Sequence, residues 1–73
     1  MNINDIWIFK TNIQTEADKL YIEGILNADN KITKTTIDLQ DVDCVLRVVS
    51  NALCAAEIIA TVKSQGFECT ELQ

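Results

Sequence analysis

The protein has 73 residues, of which 48% are hydrophobic, and a formal net charge of −5. A chain of this length and apolar content forms one small hydrophobic core, so we expect a single domain over residues 1–73. Its six Lys and Arg residues are scattered singly, whereas phosphate binding needs a clustered positive field. We therefore expect neither nucleic acid nor membrane as a partner, while the net charge would suit a basic protein or a cation.

The residue types needed for several common active sites are missing. The protein has no histidine, and its three cysteines, Cys44, Cys54 and Cys69, include no close pair that would indicate a disulfide or a zinc site. Catalysis by Ser-His-Asp or Cys-His groups is therefore excluded, and we expect no enzyme. The first five residues lack the basic start and apolar run of a signal peptide, so we expect a cytoplasmic protein.

The first half of the chain has the pattern of a strand followed by a helix. Residues 6–9 are all apolar, which predicts a central strand that ends at the polar residues 10–12. Thr15 predicts a helix N-cap, whose hydroxyl accepts a hydrogen bond from the backbone N–H three residues later. Apolar residues then recur at helical spacing to about Asn27, namely Tyr21, Ile22, Ile25 and Leu26.

The second half predicts a hairpin, a helix and a last strand. The segments are residues 32–39 and 44–49 as strands, 55–65 as a helix and 67–72 as the last strand. In the second strand of the hairpin, Leu46 and Val48 share one face. Gly66 falls where a helix commonly ends with a left-handed residue.

The order of these segments predicts the fold class. Strand, helix, strand, strand, helix, strand is the order of an α+β fold, the ferredoxin-like βαββαβ sandwich. Right-handed crossovers arrange its four antiparallel strands in the order 4-1-3-2, with both helices on one face. The second and fourth strands are then edges, and the other face of the sheet is open to solvent or to a partner.

The first strand and the turn after it resemble those of heavy-metal-associated domains. Residues 9–13, with the sequence FKTNI, are similar to the first strand of small bacterial members of this family, which includes copper chaperones and metal-transporting ATPases. Ile22, Leu26 and Ile32 fall on apolar positions of the family, and residues 55–67 resemble its second helix with a terminal Gly-aromatic pair. The resemblance implies one heavy-metal-associated-like domain over residues 1–73, a divergent bacterial member.

The metal ligands of that family are absent from the corresponding positions. The resemblance places its two cysteines, which are separated by two residues, on Thr15 and Asp18. Two thiolates suit Cu(I) or Zn(II), and a hydroxyl with one carboxylate does not replace them. Mg(II) and Ca(II) need six or more oxygen ligands, which this segment does not offer. We interpret Thr15 and Asp18 as a capped helix start and expect no bound metal and no cofactor.

Two other features have both a functional and a simpler interpretation. Cys54 is placed at the start of the second helix, where the helix dipole favours a reactive thiol. The simpler interpretation, a small half-buried residue without a role, is the one we prefer. Asp38, Asp41 and Asp43 surround a turn, and we interpret them as solvated turn residues rather than as a cation site.

Two functions from different classes remain. The first is a protein-interaction or regulatory module that has lost its metal ligands. It would contact a protein partner, or form a weak homodimer, through the open sheet face with Trp7, Val45 and Val49. The second is a metal-ion binding or transport protein, similar to copper chaperones, with atypical ligands such as Cys54 or acidic groups. The fold alone does not decide between them.

Overall fold

Residues 6–72 are described by a computed structural model, and our expectation for the first five residues lies outside this range. The elements are β1 (Ile6–Thr11), α1 (Glu16–Asn27), β2 (Lys34–Asp38), β3 (Val45–Val49), α2 (Ala55–Ser64) and β4 (Cys69–Glu71). The βαββαβ order predicted from the sequence is confirmed.

The four strands form one antiparallel sheet in the order β2-β3-β1-β4. This is the predicted order, 4-1-3-2, read from the opposite edge. β1 is central, because Phe9 lies opposite Leu46 of β3 on one side and opposite Glu71 of β4 on the other. Among the described residues, β2 and β4 are the edges of the sheet.

The core lies between the sheet and the two helices. Alternation along the central strands turns Phe9, Leu46 and Val48 toward the helices, and all three are fully buried. The helices contribute Ile22, Leu26, Ile58 and Val62, which are buried as well. Burying each side chain of this size contributes roughly 1.5–3 kcal/mol, so these residues supply the main stabilisation of the sandwich.

β1 is two residues longer than predicted. Lys10 and Thr11 remain in the strand because they pair with Thr70 and Cys69 of β4. Their polarity does not end the strand, since Lys10 points to the face away from the helices and Thr11 is held by hydrogen bonds. The prediction that residues 10–12 terminate the strand is therefore wrong for the first two of them.

Cys44 lies in the turn before β3, although the sequence placed it at the start of that strand. Its φ is +45°, and its N–H donates to the Asp41 carbonyl at 3.0 Å. The Asp41 carboxylate also accepts the Asp43 N–H at 2.8 Å. These bonds close the turn at Cys44, so β3 begins one residue later.

β2 and β4 are shorter than predicted. The Ile32 N–H donates to the Asp29 carbonyl at 3.0 Å in a turn, so β2 begins two residues after the predicted start. The Glu68 N–H donates to Asn12 Oδ1 at 2.8 Å instead of joining the sheet, so β4 begins after it. In both cases the backbone N–H group donates its hydrogen bond within a turn or to a loop side chain, so it is not available to pair with a neighbouring strand.

The helices end as the sequence predicts to within one residue. α1 ends at Asn27, and α2 ends at Ser64 with Gln65 as its C-cap. Gly66 has φ +92°, a left-handed conformation that costs glycine little, and its N–H donates to the Lys63 carbonyl at 2.9 Å. Neither helix of residues 6–72 has the length and apolarity needed to cross a bilayer.

Candidate functional site

The first loop, residues 12–15, joins β1 to α1 and ends at Thr15, the first of the two positions on which the sequence resemblance places a cysteine. Thr15 has an extended backbone, with φ −115° and ψ 155°, and is the N-cap of α1. Its hydroxyl oxygen accepts the Asp18 N–H at 3.1 Å, and its carbonyl accepts the Lys19 N–H at 2.9 Å. The N-cap predicted from the sequence is confirmed.

Two polar side chains that the sequence analysis did not single out fix the shape of this loop. The Thr11 hydroxyl donates to the Cys44 carbonyl at 2.7 Å and accepts the Ile13 N–H at 3.2 Å, and Ile13 itself is fully buried. Asn12 accepts the Glu68 N–H at 2.8 Å. The signal in the sequence was a Thr-Asn pair at a strand end, directly before an apolar residue.

The donor atoms of the first loop do not fit a soft metal ion. The Thr15 oxygen is committed to the helix cap, and the nearby Glu16 carboxylate pairs with the Lys19 ammonium at 3.4 Å. Thiolates are the ligands that suit Cu(I) and Zn(II), and this segment contains none. Within residues 6–72, no three or more His, Cys, Asp or Glu side chains are grouped so as to hold a metal ion.

Cys54 is the N-cap of α2, as predicted, but it is exposed rather than half-buried. Its S–H donates to Glu57 Oε1 at 3.2 Å, and its N–H donates to the same oxygen at 3.3 Å. The bond from the thiol, and then the bond from the backbone, lowers the pKa of the Glu57 carboxyl. Reactive thiolates have positively charged neighbours, whereas the closest polar group to this thiol is a carboxylate.

The other two cysteines are buried on either side of β1. Cys69 lies opposite Thr11 in the sheet, and the Cys44 carbonyl accepts the hydroxyl of the same threonine. All three cysteines are free thiols. Burial raises the pKa of the Cys69 thiol to about 11, although Lys63 opposes this effect. Cys69 is therefore protonated at neutral pH, which makes it a poor ligand and a poor nucleophile.

The open face is the surface of the sheet opposite the helices. Val45 and Val49 lie on it, as predicted, and both are half-buried. Strand alternation and register define its nine central members, which are Ile6, Ile8, Lys10, Lys34, Thr36, Asp38, Val45, Arg47 and Val49. The face thus has apolar side chains on β1 and β3, with Arg47 between them at its centre.

Trp7 does not lie on the open face, so this part of the predicted surface is wrong. It packs against the core on the side of the helices, and its Nε1–H donates to the Leu53 carbonyl at 3.1 Å. Trp7 shares the parity of Phe9 along β1, and Phe9 is fully buried. Ile8 therefore takes the outward position that the sequence analysis assigned to an aromatic residue.

A shallow depression of about 570 Å³ lies on the open face. Its lining combines apolar, hydroxyl and charged side chains, namely Ile8, Thr36, Ile37, Asp38, Asp41, Val45 and Arg47. Aliphatic walls beside one guanidinium group and two carboxylates suit a ligand that has an apolar part and charged groups of both signs.

The fold gathers half of the basic residues on the open face. Lys10, Lys34 and Arg47 are three of the six basic residues of the chain, and the only carboxylate among the nine central members of this face is Asp38. Of these cations, Lys10 pairs with the Asp43 carboxylate at 3.7 Å. Asp41 lines the depression as well, so with Asp38 and Asp43 three carboxylates offset the three cations on or beside the open face.

Comparison with known proteins finds relatives in structure but not in sequence. The sequence matches no protein-family model and no curated protein. The fold is similar to the yeast copper transporter domain Ccc2A, solved in its apo and Cu(I)-loaded states. The two share 25% sequence identity and a TM-score of 0.82 over 94% of this chain and 96% of that chain.

Two further solved structures share the fold at lower identity. The CopZ metallochaperone has a TM-score of 0.79 and 15% identity over 89% of this chain and 98% of that chain. Oxidized MerP from Ralstonia metallidurans CH34 has a TM-score of 0.80 and 7% identity over 93% and 96% of the two chains. The ferredoxin-like fold and the structural resemblance to heavy-metal-associated domains, both predicted from the sequence, are confirmed.

Proposed function

We propose that this protein is a heavy-metal-associated-like domain that has lost its metal ligands and works as a protein-interaction or regulatory module. The observation that carries the proposal is the bond from the Asp18 N–H to the Thr15 hydroxyl. The oxygen at the position of one family ligand is used to cap a helix, and the carboxylate at the other position has no thiolate beside it. Such a pair stabilises the fold but does not hold a soft metal ion.

The open face is the proposed contact surface. The shallow depression offers Ile8 and Val45 as apolar contacts, and Arg47 as a bidentate partner for a carboxylate. Asp38 and Asp41 share this lining, so the surface suits a docking segment that has apolar side chains and a carboxylate placed against Arg47. We therefore propose a protein partner whose docking segment is apolar and carries a carboxylate that reaches Arg47.

We also propose that the protein has no catalytic role. It contains no histidine, and its aspartate-rich turn has the bonding of a structural turn. The Asp38 and Asp41 side chains each accept a backbone N–H two residues later, at 3.0 and 2.8 Å. Carboxylates that support a turn in this way are not positioned as an acid–base pair.

Metal-ion binding with atypical ligands is the competing function. It is favoured by the similarity to the copper transporter domain Ccc2A, which was solved with Cu(I), at 25% identity over 94% of this chain. In this chain the ligands would be the exposed Cys54 thiol or acidic groups. Since one thiolate is a weak site for Cu(I), this function requires a further ligand.

Titration with Cu(I) under reducing conditions separates the two functions. We expect no stoichiometric binding by the wild-type protein at micromolar free metal. The variant Thr15→Cys with Asp18→Cys should fold and bind one Cu(I), because it restores two thiolates at the family spacing. Stoichiometric binding by the wild-type protein that is abolished by Thr15→Ala with Asp18→Ala would contradict the proposal. A folded double-cysteine variant without binding would contradict the assignment of these positions.

Site-specific photo-cross-linking in the producing cells tests the contact surface. A photoreactive residue at position 45, on the open face, should capture a defined partner that the same residue at position 56, on α2, does not capture. Arg47→Glu should abolish this capture, whereas Lys63→Glu, an equal charge change on α2, should leave it intact. Equal capture from positions 45 and 56 would show that the open face is not the contact surface.

A further inference from the structure

The edge strand β2 has a sequence that is complementary to itself. It reads Lys-Thr-Thr-Ile-Asp from Lys34 to Asp38, and its only hydrogen-bonded neighbour among the described residues is β3. An edge strand presents a row of backbone N–H and C=O groups that another strand can pair with. Lys34 and Asp38, at its two ends, are both exposed and both on the open face.

We propose that a second copy of this protein pairs with β2 in an antiparallel arrangement centred on Thr36. A two-fold axis through Thr36 places Lys34 of each copy opposite Asp38 of the other. Residues directly opposite in antiparallel strands have Cβ atoms about 4.5–5.5 Å apart, which is close enough for an ion pair. The symmetry creates two such pairs, one at each end of the joined strands.

The same register also brings compatible residues together on the side of β2 that faces the helices. Thr35 and Ile37 are both buried there, and the register places each of them opposite the other residue of the second copy. The hydroxyl oxygen of Thr35 has no hydrogen-bond partner among the described residues. No like charges or bulky groups face each other in this register.

The other edge of the sheet does not offer this complementarity. β4 has three residues, Cys69–Glu71, and its charged residue is Glu71, with Glu68 just before it. Pairing of β4 with itself about Thr70 would place Glu71 opposite Cys69, so it forms no ion pair. Pairing of β2 with β4 is a head-to-tail contact, which leaves free edges and produces open chains rather than a closed dimer.

The paired assembly has a consequence for the open face. Joining two copies through β2 produces one eight-stranded sheet, with both open faces on the same side and their basic residues in one continuous surface. The inference does not depend on the proposed docking function. Ile8→Lys disrupts contacts on the open face from β1, which does not neighbour β2 in the sheet, so the failure of one proposal is distinguishable from the failure of the other.

Sedimentation equilibrium from micromolar to millimolar protein tests the dimer. We expect Lys34→Glu and Asp38→Lys each to weaken association at least roughly tenfold, since each change replaces two attractive pairs by two repulsive ones. Lys34→Asp with Asp38→Lys, which exchanges the charges, should restore the dimer. Lys63→Glu, an equal charge change on α2, should leave it unchanged.

Mixing the two single variants is the sharper test, because a variant that had only lost stability would not regain association with its oppositely charged counterpart. Lys34→Glu carries only acidic residues at the two ends of β2, and Asp38→Lys carries only basic ones, so their mixture should form a heterodimer although neither variant dimerises alone. A wild-type protein that is monomeric at millimolar concentration would overturn the proposal. A dimer insensitive to Lys34→Glu, or a mixture that remains monomeric, would overturn it too.

Discussion

The two strand-to-helix connections of this protein begin their helices with different side-chain chemistry. Each has an N-cap residue followed three positions later by an acidic residue, Thr15 with Asp18 and Cys54 with Glu57. In the first connection the N-cap side chain accepts a backbone N–H at 3.1 Å. In the second, the N-cap thiol and backbone N–H both donate to the acidic side chain, at 3.2 and 3.3 Å.

This difference follows from the atoms involved. A hydroxyl oxygen is a good acceptor, whereas a thiol is a weak acceptor and a weak donor, so the role of acceptor passes to Glu57 in the second connection. The sequence resemblance places the family's two thiolates at Thr15 and Asp18. The positions of Thr15 and Asp18 are the N-cap and third residue of α1, and Cys54 already supplies a thiol at the matching N-cap of α2.

The largest expected effect is a new metal site in the second connection. Glu57→Cys places thiols at the N-cap and third residue of α2, with the spacing that the family has at its first helix. If this placement suffices to bring two thiolates together, the variant binds one Cu(I) under conditions in which the wild-type protein binds none. A competitive Cu(I) titration with a chelator measures it, and Glu68→Cys, with an added thiol elsewhere, is the matched control. If Glu57→Cys bound Cu(I) no more tightly than Glu68→Cys, then two thiols at this spacing would not suffice, and the shape of the first loop would be required for metal binding.

The next effect is a pH dependence of stability that we expect from the buried thiol of Cys69 but not from the exposed thiol of Cys54. Burial raises the pKa of Cys69 from 9.0 to about 11, so its contribution to stability is fully present below pH 9 and is lost as the pH rises through 11. Between pH 8 and 11 the wild-type protein should lose about 2 kcal/mol more than Cys69→Ala. Urea unfolding with reductant measures this difference. As a control, Cys54→Ala should retain the wild-type pH dependence of the unfolding free energy. If Cys69→Ala lost the same amount of stability between pH 8 and 11 as the wild-type protein, Cys69 would be excluded as the cause.

The smallest effect compares the two caps directly. Thr15→Ala removes the acceptor for the Asp18 N–H and should cost about 1 kcal/mol. Cys54→Ala should cost less than about 0.5 kcal/mol, because the Cys54 backbone N–H keeps its bond to Glu57. Urea unfolding at neutral pH measures both, with Thr15→Ser as a control that retains the hydroxyl. Equal losses for the two alanine variants would show that the caps contribute alike.

Much of the first connection was predictable because its determinants are local. A hydroxyl residue three positions before an acidic one predicts an N-cap whatever the rest of the fold does, and Thr15 confirmed this. The anchoring of the first loop was not predictable in the same way. Asn12 bonds to the backbone of Glu68, which is 56 positions away in the sequence, and no local pattern indicates such a partner.

The open face shows the same limit. Residues 6–9 are all apolar, so periodicity could not decide which of them turn outward, and Trp7 was assigned to the wrong side. Pairing with β3 and β4 decided it, since Phe9 lies opposite the buried Leu46 and Ile8 lies opposite the exposed Arg47. The neighbouring strands, not the strand itself, select the face.

The sequence by itself determined the type and order of the six elements, the caps of both helices and the buried face of β3. Hydrophobic period, capping side chains and the glycine after α2 act over a few residues, so they can be read without the fold. Only the tertiary structure decided which side of β1 is open, how the first loop is held, and that Lys10, Lys34 and Arg47 share a face. These features depend on the register between strands that are far apart in sequence, and side-chain charge leaves no local pattern from which that register can be derived.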